Sequence, residues 1–207
     1  MRILIGCECS GIIREAFQAK GHDAWSCDLK PTQIDGQHIV GDIMQVLDSS
    51  WNWDLAIVHP PCTYLSSSGL HWNKRRPERS QMTDEAIKFV ERIWACGIPK
   101  MCLENPRGCI NTRLPYMPKP QWIQPYEFGE DASKCTGLWL RGLPPLRKGK
   151  RMQGRIVEWP PISGKMVERW SNQTDSGQNR LGPSETRSAQ RSITYHGIAN
   201  SMAEQWG

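Results

Sequence analysis

The 207-residue sequence has no apolar run approaching the ~20 residues that a membrane-spanning helix requires. Its opening apolar stretch, residues 1 to 6, is too short for a signal peptide and is soon followed by Glu8. We therefore expect a cytoplasmic protein with no membrane contact. A chain of this length buries one sizeable core, so we predict a single domain over residues 1–207.

Paired cysteines are also missing. Eight cysteines are present, but no two have the CxxC spacing that is typical of zinc or redox sites, and the five histidines are scattered. Several cysteines lie in apolar runs, which is typical of reduced, buried thiols in a cytosolic protein. The sequence therefore predicts neither a disulfide framework nor a metal site.

Charge is unevenly distributed along the chain. Residues 1–60 carry 4 Lys/Arg against 8 Asp/Glu, whereas residues 141–207 carry 11 Lys/Arg against 5 Asp/Glu. A basic carboxyl-terminal third indicates a polyanionic partner such as nucleic acid, although basic surfaces also serve simply as solvated faces.

Short apolar segments alternate with amphipathic ones over the first two thirds of the chain. The pattern predicts strands at 2–6, 22–28, 37–42, 53–59 and 100–104, and helices at 12–20, 83–96 and 197–206. Ser10 is the candidate N-cap of the first helix. Residues 107–161 are rich in Pro and Gly and contain one predicted strand, at 135–140, and the polar residues 171–191 are predicted to form a flexible surface loop. Such alternation favours an α/β fold: a mostly parallel sheet with helices on both faces.

A nucleotide-type site is expected where the first strand meets the first helix. Ligands of such sheets bind at the carboxyl ends of the strands, where main-chain amides and an acid hold the ribose. The turn contains Cys7, Glu8, Ser10 and Gly11, with Asp28 and Asp42 ending the next two strands. Because neither GxGxxG nor Gly-Lys-Ser/Thr is present, an adenosyl ligand without pyrophosphate is favoured. The alternative is an ordinary tight turn with two solvated acids.

The fourth and fifth predicted strands end in reactive groups. Pro60-Pro61 fixes the backbone directly before Cys62, and Glu104-Asn105 ends the neighbouring strand. A thiol and a carboxylic acid facing one cleft can activate a nucleobase for conjugate addition. Taken alone, Cys62 also fits an ordinary turn cysteine.

These two motifs resemble those of the DNA cytosine-5 methyltransferases. Residues 61–69, PCTYLSSSG, are similar to the family's Pro-Cys-Gln-x-Phe-Ser-x-x-Gly motif, and Glu104-Asn105-Pro106 is similar to its Glu-Asn-Val motif. Three further features occur in the same order as in the family: its cofactor turn at residues 7–11, its cofactor acids at Asp28 and Asp42, and its closing Gly-Asn motif near residues 197–200. The sequence most resembles the small prophage-borne members, whose host is a bacterium.

The resemblance implies a Rossmann-like, S-adenosylmethionine-dependent methyltransferase fold and a set of site residues. Cys62 adds to carbon-6 of cytosine, Glu104 hydrogen-bonds or protonates ring nitrogen-3, Asn105 holds that geometry, and carbon-5 receives the methyl group. The base is flipped out of the duplex or unpaired. The implied cofactor residues are Cys7, Glu8, Ser10, Gly11, Asp28, Asp42, Pro60 and Asn200.

The sequence departs from the family pattern in four places. Thr63 replaces Gln, Pro106 replaces Val, the cofactor turn is poor in glycine, and Lys134-Cys135-Thr136 stands in place of Gln-x-Arg-x-Arg. The family's target-recognition domain is replaced by a basic, polar, loop-rich segment, residues 141–191. Cationic side chains neutralise phosphates, and aromatic side chains stack on exposed bases. Trp139 and Trp159, which lie near the cations of this segment, are therefore predicted to stack on bases. The predicted nucleic-acid-binding residues are Ser66, Lys134, Arg147, Lys148, Lys150, Arg151 and Arg155.

The expected partner is DNA, duplex or single-stranded, and a protein partner that supplies specificity is left open. One alternative is an amino-group methyltransferase acting on adenine-N6 or cytosine-N4, because His59-Pro-Pro-Cys62 also resembles the Asp/Asn/Ser-Pro-Pro-Tyr/Phe turn of that class. Glu104-Asn105 argues against it, since direct attack by an amine needs no acid there. The other alternative is a catalytically inactive relative that binds nucleic acid.

Overall fold

A computed structural model describes residues 1–182, 184 and 193–207. Its main sheet has seven strands in the order β3-β2-β1-β4-β5-β7-β6. They are β1 Arg2–Gly6, β2 Asp23–Asp28, β3 His38–Val40, β4 Leu55–Val58, β5 Lys100–Pro106, β6 Gln121–Ile123 and β7 Thr136–Arg141. The pairs among β1 to β5 are parallel, and β7 runs antiparallel to both of its neighbours. This mostly parallel sheet confirms the predicted α/β, Rossmann-like architecture.

Helices cover both faces of the sheet. They are α1 Ile12–Gln18, α2 Ile43–Val46, α3 Ser67–Leu70, α4 Pro77–Trp94, α5 Ile110–Arg113 and α6 His196–Trp206. One core packs α1 and α6 against the sheet, and a second packs α4 against the opposite face. Strands β1 and β4 are buried on both faces, which explains their continuous apolar runs. Within the described residues, no helix combines the length and apolarity needed to cross a bilayer.

Two helix starts differ from the predictions. Helix α4 begins at Pro77 rather than residue 83, with proline at a first-turn position where its missing amide hydrogen costs nothing. The N-cap of α1 is Gly11, with φ of 80°, and not Ser10. The Ser10 hydroxyl instead donates a hydrogen bond to the Glu8 carboxylate, so the prediction of a serine cap was wrong.

The carboxyl-terminal part is more regular than its composition suggests. Besides β7, residues 107–161 contain β6 and β8, Arg155–Glu158, and β8 pairs with β9, Met166–Arg169, in a separate antiparallel ribbon. Residues 171 and 172 hydrogen-bond to Asp131 and Ser133. The segment 141–191 therefore includes a two-stranded sheet, while its residues 183 and 185–191 lie outside the described residues.

Candidate active site

The carboxyl ends of the parallel strands bring the predicted site residues to one edge of the sheet. The turn after β1 contains Cys7, Asp28 ends β2, and Asp42 follows β3. His59 directly follows β4, and Glu104 lies within β5. This edge is where ligands of open α/β sheets bind.

The turn between β1 and α1 has a strained backbone. Cys7 has φ of 55°, a left-handed conformation that residues other than glycine rarely adopt. A Cβ atom on Gly6 would lie 2.6 Å from Ile43 Cδ1, so a larger residue here would displace the Ile43 side chain. Burial, with the nearby Asp28 carboxylate, raises the pKa of Cys7 to about 12, which keeps this thiol neutral.

The Glu8 carboxylate lies at the start of helix α1. Its side chain is buried and accepts hydrogen bonds from the Gly11 amide, at 2.9 Å, and from the Ser10 hydroxyl. A helix N-terminus attracts phosphate through such free amides. Because Glu8 already occupies this position, the turn suits a ligand without phosphate.

Asp28 and Asp42, the two acids predicted to bind a cofactor, each have an oxygen outside the local turn bonds. Asp28 Oδ1 accepts from the Lys30 amide at 3.0 Å, and Asp42 Oδ1 accepts from the Met44 amide at 2.9 Å, which caps α2. The Oδ2 atoms take no part in these two bonds, so they can accept from a hydroxyl or an amine. Asn200, by contrast, is exposed on α6.

Arg14 is a fully buried cation that the sequence reading did not select. Its guanidinium donates to Ser26 Oγ at 3.0 Å and to the Ile34 carbonyl at 2.6 Å. It therefore holds the loop between β2 and β3, whose Gln33 amide donates to the Cys9 carbonyl at 2.7 Å. The only sequence signal was an arginine inside the apolar stripe of the first helix.

The turn that carries Cys62 is fixed from one side by the chain after β5. Cys62 is exposed, and its carbonyl accepts from the amides of Leu65 and Ser66 at 3.1 and 2.9 Å. The Leu65 carbonyl accepts from the Cys109 amide at 3.0 Å. A Cβ on Gly108 would lie 1.8 Å from the Leu65 oxygen, so only glycine allows this close approach.

Helix α4 fixes the same turn from the other side. Arg79 donates to the Thr63 carbonyl at 2.7 Å and lies 4.8 Å from the centre of the Tyr64 ring. Thr83, buried in α4, donates to the Tyr64 carbonyl at 3.0 Å. Thr63 is thus held through its main chain, a contact that does not depend on its side chain.

Asn105 links the ends of β4 and β5. It is buried, and its Nδ2 donates to the Pro60 carbonyl at 2.7 Å. Its Oδ1 is buried without a hydrogen-bond partner among the described residues. The predicted positioning role of Asn105 therefore rests on a direct contact with the segment that precedes Cys62.

Glu104 is paired with His59, which the sequence reading did not assign a role. Because Val58 lies opposite Leu103 in the parallel register, the next residues adjoin, and His59 Nδ1 lies 3.1 Å from Glu104 Oε2. Burial raises the pKa of Glu104, but the His59 hydrogen bond and the Lys134 charge lower it by more. The net pKa is below its ordinary value, so Glu104 is ionised at neutral pH.

A small cavity opens beside this pair. Its lining combines polar with apolar side chains from β5, β6, β7 and α6 and from the segments after β4 and before β7 and α6: His59, Glu104, Ile123, Lys134, Thr136, Leu138, Thr194, Tyr195, Ile198 and Met202. Lys134 therefore belongs to the surroundings of Glu104. The described lining does not include Cys62, whose side chain is exposed in the adjoining turn.

The comparisons with known proteins give a distant structural likeness. No protein-family profile and no curated protein matches the chain. Among solved structures, it is similar to one described as a DNA modification methyltransferase encoded within a prophage of E. coli. The identity is 12%, the TM-score is 0.42, and the match covers 67% of this chain and 45% of that chain. The chain thus spans less than half the length of that structure.

Several predicted nucleic-acid-binding cations are paired with the chain's own acids. Lys148 Nζ lies 2.7 Å from a Glu127 oxygen, and Arg155 Nη2 lies 2.7 Å from an Asp175 oxygen. Arg151 likewise pairs with Glu168. These cations have part of their charge neutralised locally.

The remaining predicted nucleic-acid residues have different surroundings. Arg147 and Lys150 are exposed, and the Ser66 hydroxyl contacts the Ser68 hydroxyl at 3.0 Å. Trp139 is only 2% exposed, and its indole nitrogen donates to Asn111. The prediction that Trp139 stacks on bases was wrong, because β7 turns this ring into the core.

A second basic group lies shortly after Cys62 in the chain. Lys74, Arg75 and Arg76 are exposed, and within the described part of the chain none of them forms an ion pair. Trp72 is 41% exposed, with the Arg75 and Arg76 guanidinium carbons 5.7 and 5.5 Å from its ring centre. The sequence signal, a run of three basic residues beside a tryptophan, was overlooked. We call residues 72–76 the basic turn.

Proposed function

We propose that the chain transfers a methyl group from S-adenosylmethionine to carbon-5 of cytosine in DNA. The observation that carries the proposal is the pair of contacts between β4 and β5, Glu104 with His59 and Asn105 with Pro60. They hold an acid and an amide next to the turn that presents an exposed thiol. The resemblance to the cytosine-5 methyltransferases in these same two motifs supports the assignment.

The turn after β1 and the two acids fit the adenosyl cofactor. Asp28 would bind the ribose hydroxyls and Asp42 the adenine amino group, with residues 7–11 and 60 forming the surrounding backbone. The Glu8 carboxylate at the start of α1 disfavours a phosphate-containing ligand there. When bound, S-adenosylmethionine supplies an electrophilic methyl group.

The chain's own residues activate the base. The Cys62 thiolate forms a bond to carbon-6, and the displaced electrons move through the ring to nitrogen-3, which gains a proton through the Glu104 carboxyl group. Asn105 keeps β5 in register with the cysteine turn. Carbon-5 becomes nucleophilic as a result. Once it carries the methyl group, loss of the carbon-5 proton and breaking of the carbon–sulfur bond restore the aromatic base.

Nucleoside mass spectrometry tests this assignment. DNA from cells that express the chain is compared with DNA from cells that express Cys62→Ala. We expect 5-methylcytosine only with the intact cysteine. N6-methyladenine or N4-methylcytosine would instead establish the amino-group alternative, and cofactor binding without any methylated base would establish an inactive relative.

Loss of Asp28 is expected to weaken cofactor binding. In Asp28→Ala, the ribose hydroxyls lose a charged acceptor, which costs about 1.5–3 kcal/mol of binding free energy. Calorimetry with S-adenosylmethionine measures the change. The control is Glu85→Ala, which removes an exposed acid of α4. Equal affinities of Asp28→Ala and the unmodified chain would remove Asp28 from the site.

DNA binding is expected to depend on the basic turn. Neutralising Lys74, Arg75 and Arg76 together should weaken binding to every sequence and reduce the salt slope by up to about three charges. The comparison variant neutralises Lys148, Lys150 and Arg151, and its slope should fall by less, because two of these cations already have carboxylate partners. Fluorescence anisotropy at several salt concentrations measures both. An unchanged slope in the basic-turn variant would contradict this placement of DNA.

A further inference from the structure

His59 occupies a position from which it can exchange a proton with Glu104. Its Nδ1 faces the carboxylate at 3.1 Å, and the two side chains are only 12% and 17% exposed. The pairing follows from the parallel register of β4 and β5: Val58 lies opposite Leu103, so the next residues, His59 and Glu104, lie side by side. The contact is therefore built into the sheet.

The second ring nitrogen of His59 is also unusual. Nε2 is buried and has no hydrogen-bond partner among the described residues. Buried polar atoms are normally satisfied, so this atom marks a place where a partner is expected, such as a bound water or substrate. An imidazole with one nitrogen on a carboxylate and the other directed elsewhere is arranged as a proton carrier.

Glu104 must receive a proton before it can protonate the base. As an ionised carboxylate it can accept a hydrogen bond from the base, but it has no proton to give to nitrogen-3. The other charged or titratable groups around the pair are Lys134, before β7, Tyr195, before α6, and the buried thiol of Cys102 in β5. Burial raises the pKa of Tyr195, so this phenol stays protonated at neutral pH. His59 is in direct hydrogen-bond contact with Glu104, and an imidazole is the side chain suited to exchange a proton with a carboxylate in the neutral range.

We propose that His59 is a positioning and proton-supplying residue that delivers a proton through Glu104 to nitrogen-3 of cytosine. The inference rests on the proposed function. As the bond from Cys62 to carbon-6 forms, the His59 imidazolium gives its proton to the Glu104 carboxylate, which passes it on to nitrogen-3, so that His59 becomes neutral and Glu104 is again ionised. When the carbon–sulfur bond breaks, nitrogen-3 returns the proton by the same path. The proton on carbon-5 leaves separately to solvent.

The first test is the rate of methyl transfer as a function of pH. In single-turnover assays, His59→Gln should lower the rate constant by about 10²-fold while leaving the Kd values for DNA and cofactor nearly unchanged. In the unmodified chain, the rate constant should fall as the pH rises and His59 loses its proton. In His59→Gln, this decrease at high pH should be absent. The control is His22→Gln, which changes a histidine at the opposite end of the sheet, before β2. An unchanged rate and pH profile in His59→Gln would overturn the inference while leaving the cytosine-5 assignment intact.

The second test needs no methyl transfer. The imidazole resonances of the full-length chain are followed by NMR through a pH titration, with and without Glu104→Gln. We expect the pKa of His59 to fall when its carboxylate partner is removed, because the imidazolium loses its counter-charge. Identical titration of His59 in both proteins would refute the coupling. Because this comparison leaves His59 in place, it remains decisive even if His59→Gln does not fold.

Discussion

Cys62→Ser and Glu104→Gln are each expected to reduce methyl transfer by about 10³-fold or more while leaving cofactor affinity nearly unchanged. A serine hydroxyl is far less ionised than a thiol at neutral pH, and a neutral amide cannot pass a proton to the base. Both side chains act on the base, whereas the proposed cofactor acids Asp28 and Asp42 lie at the carboxyl ends of β2 and β3. Initial rates with DNA and calorimetry with S-adenosylmethionine separate the two effects.

The matched control is Cys96→Ser, which changes a partly exposed thiol just after α4. It should retain full activity. A fully active Cys62→Ser protein would end the cytosine-5 assignment and favour the amino-group alternative, which needs no thiol. A Glu104→Gln protein of normal rate would leave Cys62 in place but remove the acid from the mechanism.

Arg14→Met is expected to lower the free energy of unfolding by about 3–5 kcal/mol, because it removes a buried cation and leaves its acceptors unsatisfied. Those acceptors include the carbonyls of Ile34 and Asp35 and the Ser26 hydroxyl. Urea denaturation measures the loss. The same variant should bind S-adenosylmethionine more weakly, because the loop after β2 hydrogen-bonds to the turn after β1 through Gln33 and Cys9.

An exposed arginine provides the comparison for Arg14. Arg113 pairs with Asp84 at 2.6 Å, but both side chains are more than 40% exposed. Arg113→Met should therefore change the free energy of unfolding by less than about 1 kcal/mol. Similar losses in the two variants would mean that the hydrogen bonds of Arg14 do not stabilise the loop as its burial implies.

The sheet and its functional edge were predictable for a simple physical reason. Strands such as β1 and β4 are buried on both faces, so their sequences are continuous apolar runs, and parallel strands place their carboxyl ends together. Polar residues that follow such runs, including Asp28 and Glu104, are then recognisable as site candidates. The short strands β6, β8 and β9 lack this signal because they lie among prolines and glycines and are only partly buried.

Side-chain partners could not be predicted in the same way. Lys148 and Arg151 look like free cations in the sequence, but their carboxylate partners come from Glu127 and Glu168, distant along the chain. The sequence also indicates that Trp139 is available for stacking, but its position in β7 directs the ring into the core. His59 appeared only as part of a proline turn, because its contact with Glu104 depends on the register between two strands.

The covalent intermediate can be measured directly with DNA that contains 5-fluorocytosine. Fluorine cannot leave carbon-5 as a proton does, so an enzyme that forms a carbon-6 adduct stays attached to the oligonucleotide after methyl transfer. In the presence of S-adenosylmethionine, we expect intact mass spectrometry to show one protein joined to one methylated oligonucleotide, and peptide mapping to locate the bond at Cys62. Methylated cytosine without any adduct, or an adduct at another cysteine such as Cys109 or Cys135, would contradict the account.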